Sequence, residues 1–114
     1  LASEPAVLAS ATRDHAVEVA FPDLAGVLPG FGPQDPNPWG LGVEVRGNKR
    51  PHWTPEAASP RTFGHFGRSG TLLWCDPESG CALVVLTDRE FGEWAPPLWR
   101  DLGAATIEAL VGAR

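Results

Sequence analysis

The hydrophobic pattern is strongest in two short apolar runs, residues 71–75 and 81–87, which are separated by a five-residue connection. Both runs are rich in Leu, Val and Trp and are too short for comfortable helices, so they predict β-strands. The connection, residues 76–80, contains Pro and Gly and has the length of a hairpin loop. The two strands are therefore expected to pair antiparallel.

Further elements are predicted on both sides of this hairpin. Residues 39–46 alternate, with Leu41, Val43 and Val45 facing one way and glycines, Glu44 and Arg46 facing the other. Residues 62–66 are expected to enter the central strand. Residues 3–13 predict a short helix, and residues 14–20 predict a short strand or an extended linker. The final helix is expected from Pro97, with an apolar stripe at Leu98, Leu102, Ala105 and Ala109, widened by Trp99, Thr106, Ile107 and Leu110.

Residues 21–39 hold five prolines and three glycines, so no regular element is expected there, although their apolar side chains indicate packing. The predicted fold class is α+β, an antiparallel sheet of three to four strands with a C-terminal helix packed on one face. Residues 1–37 are expected to form a short helix and a packed loop, and residues 38–114 the sheet-and-helix portion. The other sheet face is expected to need a partner, because the hairpin strands are apolar on both sides.

Composition limits the possible functions. A chain of 114 residues forms one domain at most, or part of a larger one. The net charge of −5 and the single lysine, Lys49, argue against nucleic acid as a partner. No apolar run is long enough to span a bilayer, and no signal-peptide pattern opens the chain. The chain contains no Met and begins at Leu1, which leads us to expect a trimmed product or a fragment.

Nucleophilic machinery cannot be completed from these residues. No Ser is followed three residues later by Lys, no G-x-S-x-G motif is present, and the chain has no Tyr. No metal site is expected, since the three histidines lack paired spacing and residues 75 and 81 have no second Cys/His pair. No cofactor is expected either.

Several other residue types favour structural interpretations. A disulfide between Cys75 and Cys81 is conceivable, but two small apolar strand residues are the simpler interpretation. Asp76 and Glu78 are expected to be solvated in the hairpin turn. The five Trp could form a sugar-stacking platform, but aromatic residues at strand and helix positions are more often core.

His65 is the candidate for chemistry, because histidine is the side-chain type best suited to acid–base chemistry near neutral pH and this one lies in the glycine-rich segment Gly-His-Phe-Gly-Arg-Ser-Gly at residues 64–70. The three glycines there allow close approach by backbone or ligand. From the residues alone, a histidine that ends a strand with its ring nitrogens satisfied by neighbours is the favoured interpretation.

The motifs add a resemblance. F-G-H-x-G-x-S-G-T, L-x-W-x-D-P-E-x-G and A-L-V-V-L-T-x-R occur in this order, preceded by W-G-L-G-V-E. Together, from about residue 38 to residue 110, they resemble the C-terminal part of the serine β-lactamase and penicillin-binding-protein family, which includes class C β-lactamases, D-Ala-D-Ala carboxypeptidases and esterases. The family's S-x-x-K and Y-x-N motifs are absent from this sequence, and only the third motif is matched, by residues 65–67.

The resemblance implies roles for five residues. His65 would help to orient the substrate carboxylate and the proton network, and the backbone N–H of Arg68 would be one of two oxyanion-hole donors. Phe66, Gly67 and Asp88 would line the substrate site. Phe66 stands where a hydroxyl residue is common in the family and Asp88 where an amide is common, so an ester or peptide is a better expected substrate than a β-lactam.

The leading hypothesis is therefore a C-terminal part of a serine β-lactamase-like hydrolase that is incomplete and inactive alone. The partner over the uncovered sheet face would be a missing N-terminal half or a second copy of the chain. The alternative is a non-catalytic ligand- or protein-binding module that reuses the same sheet. A third hypothesis is a small unrelated α+β protein.

Overall fold

The computed structural model describes residues 7–112. In chain order the elements are α1 (Ser10–Val17), β1 (Gly26–Leu28), β2 (Gly32–Gln34), β3 (Glu44–Val45), β4 (Phe63–Phe66), β5 (Leu72–Asp76), β6 (Cys81–Val85) and α2 (Ala95–Gly112). Strands β3 to β6 form one antiparallel sheet in sequence order, and β1 and β2 form a separate hairpin. The predicted fold class is confirmed, with the small β1–β2 hairpin added to it.

The predicted β5–β6 hairpin is also confirmed. Leu73 pairs with Val84, and His65 of β4 pairs with Leu73, so these three residues form a row across one face of the sheet. Alternation along the strands places Trp74 on the opposite face, where it is fully buried. That second face carries the core, which also includes Leu72, Trp99 and Ile107.

The buried stripe of α2 contains Trp99 and Ile107 of the predicted stripe but not its leucines. The helix buries Ala95, Trp99, Gly103 and Ile107, while Leu98 and Leu102 are exposed. The reason is a close approach at Gly103, where a Cβ would lie 2.8 Å from Pro55 Cδ. Helix α2 can pack this closely only along the row that contains Gly103, so the row of leucines faces away from the core.

The N-terminal predictions need correction. The predicted helix over residues 3–13 is only partly confirmed, because α1 begins at Ser10 and the described residues 7–9 are not helical. It also extends to Val17, so residues 14–17 are helical rather than a strand or linker. Residues 3–6 lie outside the described part of the chain. The Pro-rich segment 21–39 contains the β1–β2 hairpin, although no regular element was expected there. Pro33 is tolerated in this ladder because both strands of a two-stranded sheet are edge strands.

The sheet face that carries His65 is largely open. Leu73 is 45% and Val84 is 58% exposed, and Leu86 beyond the end of β6 is 81% exposed. The two cysteines near this hairpin, Cys75 and Cys81, are free. No helix within residues 7–112 is long and apolar enough to cross a membrane.

Candidate active site

A cavity of about 410 Å³ lies at the C-terminal end of β4. Three of the predicted site residues, His65, Phe66 and Arg68, line it together. The other walls come from distant parts of the chain, namely Leu28, Pro29, Trp39, Glu44 and Phe91. The structure thus brings the β1–β2 hairpin, the start of the β3 region and the segment before α2 to the predicted motif.

The cavity exists because β4 extends beyond its neighbour. Strand β3 has only two residues, which pair with Gly64 and Phe63, so it ends before His65 and Phe66 are reached. On the other side these two residues pair fully with β5. At His65 and Phe66, therefore, one edge of β4 has no neighbouring strand. Such an edge can accept an extended ligand or another chain.

The predicted oxyanion donor lies in a tight turn directly after β4. The N–H of Gly70 donates to the carbonyl of Gly67 at 3.0 Å, which places Arg68 at the second position of the turn. The N–H at this position takes no part in the turn's own hydrogen bond, and no acceptor for it is found among residues 7–112. The carbonyl of Arg68 accepts from the N–H of Phe91 at 2.9 Å, which fixes the turn against the far wall of the cavity.

His65 is exposed and is oriented by an aromatic neighbour. Its ring centroid lies 5.5 Å from that of Trp39, in an edge-to-face arrangement. Trp39 is in turn held by Lys49, whose Nζ donates to the carbonyl of Pro38 at 2.9 Å and lies 6.0 Å from the Trp39 ring centroid. The orientation of His65 therefore depends on residues buried behind it.

Phe66 has two roles in the structure. It lines the cavity, and its ring packs in a cluster with Phe31, Trp53, Phe91 and Trp99 at centroid distances of 5.2–5.9 Å. A hydroxyl side chain at this position would lose these aromatic contacts. The phenyl ring thus joins the floor of the cavity to the protein core.

Gly67 and Asp88 do not line the cavity. Gly67 lies between β4 and the Arg68 turn, and a Cβ there would meet only ordinary contacts, the nearest at 3.4 Å to Ser69 Oγ. Asp88 is exposed in the segment after β6. The residues on either side of it reach the turn instead, because Thr87 Oγ1 donates to the Gly70 carbonyl at 3.0 Å and the Arg89 carbonyl closely approaches Gly70.

A buried polar network under the cavity was not predicted from the sequence. Glu44 Oε2 accepts hydrogen bonds from Lys49 Nζ at 2.8 Å and from His52 Nε2 at 2.6 Å, and Oε1 accepts from Trp53 Nε1 at 2.8 Å. The side chains of Glu44, Lys49 and His52 are all at most 2% exposed. The sequence signal was slight: Lys49 is the one lysine of an acidic chain.

The same network corrects the prediction for residues 39–46. Regular strand is limited to β3, with an isolated bridge between Trp39 and Glu44. Glu44, Val45 and Arg46 are all buried, so from Glu44 onward polar and apolar side chains are both inside, whereas Leu41 of the predicted apolar face is exposed. Arg46 is accommodated because its Nε donates to Thr54 Oγ1 at 2.9 Å.

Hydrogen bonds define the protonation of His52. The backbone N–H of Thr54 donates to Nδ1 at 3.2 Å, so Nδ1 is an acceptor and Nε2 carries the proton given to Glu44. Burial lowers the pKa of His52, and the positive charges of Lys49 and Arg46 add to this, against the opposing effect of Glu44. Burial alone would raise the pKa of Glu44, but the hydrogen bonds from His52 and Lys49 outweigh it and lower that pKa.

These directions predict acid sensitivity. A lowered pKa in the folded state means that the unfolded chain binds more protons, so stability falls as the pH falls. For His52 the loss begins below about pH 6.5, the ordinary value of the unfolded histidine, whereas Glu44 contributes only below about pH 4.3. Urea denaturation at several pH values should show the free energy of unfolding declining as the pH falls from about 6.5 to 5.

Two histidine variants identify the group responsible. His52→Gln should be less stable but should show a flatter pH dependence in this range, because the titrating group is gone. His15→Gln, at an exposed histidine on α1, should keep the decline of the parent chain. An unchanged pH dependence in His52→Gln would show that His52 is not buried in its neutral form.

Asp76 is also buried rather than solvated in the turn, which corrects the prediction. Its carboxylate accepts from Ser59 Oγ at 2.6 Å, from the Ser59 N–H at 3.1 Å and from the Glu78 N–H at 3.1 Å. Burial alone would raise the pKa of Asp76, but these hydrogen bonds outweigh it and lower that pKa. Asp76 therefore ties the hairpin to the loop that precedes β4.

A second cavity of similar volume, about 410 Å³, lies between α1 and the other end of β4. Asp14, Glu18 and Arg61 are among its lining residues, and it contains no histidine and no residue of the glycine-rich segment. The cavity at His65 is the one at which the predicted residues and an unpaired strand edge coincide.

Comparison with known proteins is consistent with this geometry. No protein-family model matches the chain. The chain superimposes on the crystal structure of a β-lactamase from Mycobacterium bovis with a TM-score of 0.91 and 50% sequence identity, covering 94% of this chain and 39% of that one. It is also 42% identical over 62 residues to a candidate D-alanyl-D-alanine carboxypeptidase of Salmonella gallinarum, and matches a Salmonella newport protein of the same name equally well.

These matches confirm the predicted resemblance to the serine β-lactamase and penicillin-binding-protein family, and its partial β-lactamase-like fold. The aligned region covers 52% of this chain but only 14% of the Salmonella proteins. The chain thus spans well under half the length of the relatives that it matches.

Proposed function

We propose that this chain forms one wall of the active site of a serine hydrolase of the β-lactamase type. The observation that carries the proposal is the convergence of His65, Phe66 and the Arg68 turn on one cavity at an unpaired strand edge. The reaction would be acyl transfer from an ester, peptide or β-lactam to a serine, followed by hydrolysis of the acyl-enzyme.

Each residue of this wall has a definite task in such a reaction. Attack by the serine oxygen on the carbonyl carbon produces an oxyanion, which the free N–H of Arg68 would bind together with the N–H of the nucleophile. Removing one such donor costs about 3–4 kcal/mol of transition-state stabilisation. His65, at the cavity wall, would orient the substrate and take part in proton movement to the leaving group.

The nucleophile of this proposed reaction lies outside the 114 residues. The sequence contains neither S-x-x-K nor a Tyr. Lys49, the one lysine, cannot serve as the base for a nearby serine, because its Nζ is buried and bonded to Glu44 and to the Pro38 carbonyl. The hydroxyl of Ser59 is hydrogen-bonded to Asp76, and the hydroxyl of Ser69 is hydrogen-bonded to Thr71.

The open sheet face fits a partner that brings this nucleophile. His65, Leu73 and Val84 form a continuous row on that face, and both apolar members are about half exposed. A polypeptide that covers Leu73 and Val84 would therefore also reach His65. The proposed occupant is the remaining portion of a β-lactamase-like protein, which the chain matches over 39% of its length in the M. bovis structure.

A covalent label tests this function. The isolated chain is expected to remain unmodified by a fluorophosphonate or a fluorescent penicillin, because no activated serine is present. Intact-mass spectrometry and in-gel fluorescence would detect a modification. The M. bovis β-lactamase, labelled in parallel, checks that each probe is reactive. Stoichiometric labelling of a serine of this chain would contradict the proposal.

The alternative is a binding module that uses the same cavity without catalysis. It is favoured by one observation, namely that residues of this chain alone line a cavity of about 410 Å³. This function predicts ligand binding by the isolated chain and no labelling after any partner segment is added. Labelling that appears only with the partner segment would exclude it.

A further inference from the structure

We infer that the cavity at His65 is a subsite for an apolar group without a positive charge, an aryl or short acyl chain, of an ester or amide substrate. The inference rests on the proposed function for the identity of the whole substrate, but the binding of the apolar group can be measured on this chain alone. It goes beyond the predicted roles of the motif residues, because most of the cavity wall comes from outside the motif.

The lining is mainly apolar. Leu28 and Pro29 come from the β1–β2 hairpin, Trp39 from the segment before β3, and Phe66 and Phe91 from the aromatic cluster. Aromatic and aliphatic walls with a few polar groups are typical of small-molecule sites, and about 410 Å³ lies in the usual range of their volumes. A phenyl ring or a short acyl chain would bury its surface against these five side chains.

The one carboxylate in the lining does not create an anionic site. Both oxygens of Glu44 are occupied, by Lys49 and His52 at Oε2 and by Trp53 at Oε1. The positive charge of Lys49 lies 2.8 Å from this carboxylate and compensates it inside the protein. A cationic ligand would therefore find no free counter-charge in the wall, and burying it would be unfavourable.

A positive charge at the cavity also disfavours a cationic ligand. Arg68 lines the cavity and is exposed, and within residues 7–112 it forms no ion pair. Its guanidinium repels an ammonium group that approaches the cavity. The expected ligand is consequently apolar and not cationic. A protonated amine of the same size should therefore bind more weakly.

Matched small molecules test the inference. Isotope-labelled chain would be titrated with 4-phenylbutanol, 4-phenylbutylamine and D-alanyl-D-alanine, and binding followed by backbone and indole NMR shifts. The alcohol is expected to bind with a dissociation constant of about 1 mM and to shift the signals of Trp39, Arg68 and Phe91. The amine and the dipeptide are expected to bind about tenfold or more weakly.

Two proline variants localise the effect. Pro29→Asp places a carboxylate at the apolar rim and should weaken binding of the alcohol about fivefold. Pro33→Asp introduces the same charge on the same hairpin, at an exposed residue outside the lining, and should leave binding unchanged. Amide spectra of both variants would confirm that they remain folded.

The contradicting outcomes are specific. Equal binding of alcohol and amine, shifts confined to Leu73 and Val84 on the open sheet face, or no binding at all would overturn the inference. Binding of the alcohol with the predicted selectivity would support it even if a serine of the isolated chain were labelled. Failure of the subsite and failure of the proposed function are thus distinguishable.

Discussion

Glu44→Gln is expected to lower the free energy of unfolding by about 3–5 kcal/mol, the size found when one partner of a buried ion pair is removed. The carboxylate accepts hydrogen bonds from Lys49, His52 and Trp53, and its side chain is 2% exposed. Glutamine keeps the shape but leaves the buried ammonium of Lys49 without a counter-charge. Because small domains have only about 5–15 kcal/mol of stability, the variant should be close to unfolded.

Two comparisons separate this effect from a general effect of mutation. Glu56→Gln removes an exposed ion pair with Arg50, where both side chains are about 70% exposed, and should cost less than about 1 kcal/mol. The double variant Glu44→Gln, Lys49→Met removes the unpaired charge and should recover part of the loss. Urea denaturation measures all of them. A similar, small loss in Glu44→Gln and Glu56→Gln would show that the network does not stabilise the fold.

Gly70→Ala is expected to disrupt the turn that holds Arg68. Gly70 has φ of +84°, a conformation that costs an L-residue about 1–2 kcal/mol. A Cβ at this position would also overlap the backbone carbonyl of Arg89, in the segment after β6. The strain and the overlap together should lower the free energy of unfolding by several kcal/mol, more than the loss of about 1–3 kcal/mol that is typical of overpacking alone.

Gly67→Ala is the matched control for this variant. Gly67 is the other glycine of the same turn, its φ is not in the left-handed region, and the nearest contact of a Cβ would be an ordinary one at 3.4 Å. The fold should tolerate this change, with a loss below about 1 kcal/mol. Thermal unfolding of the two variants checks the difference. Equal stability of Gly67→Ala and Gly70→Ala would contradict the turn geometry described above.

The parts of the fold that could be predicted are those fixed by local sequence. The β5–β6 hairpin follows from two apolar runs and a Pro/Gly connection, and no distant contact is needed to define it. The apolar stripe of α2 could not be obtained in this way. Leu98 and Leu102 fit a helical period as well as Trp99 does, and only the close approach between Gly103 and Pro55 decides which row is buried.

The candidate site shows the same division. His65, Phe66 and Arg68 are consecutive or nearly so, and their motif was recognisable in the sequence. Leu28 and Phe91 are far from the motif and reach the cavity only through tertiary packing. The alternation of residues 39–46 predicted only which way Glu44 faces. Alternation cannot show that Lys49 and His52 would donate hydrogen bonds to its carboxylate inside the protein.

The most direct test of the central claim is a chimaera in which this chain replaces the matched part of the M. bovis β-lactamase. The high structural similarity and 50% identity favour folding of the chimaera. If His65 and the Arg68 turn form one wall of a serine hydrolase site, the chimaera should be acylated by a probe that acylates the parent. His65→Ala should then lower the acylation rate by about 100-fold or more, while His15→Ala leaves it unchanged. A folded chimaera whose acylation rate is the same with and without His65 would contradict the claim.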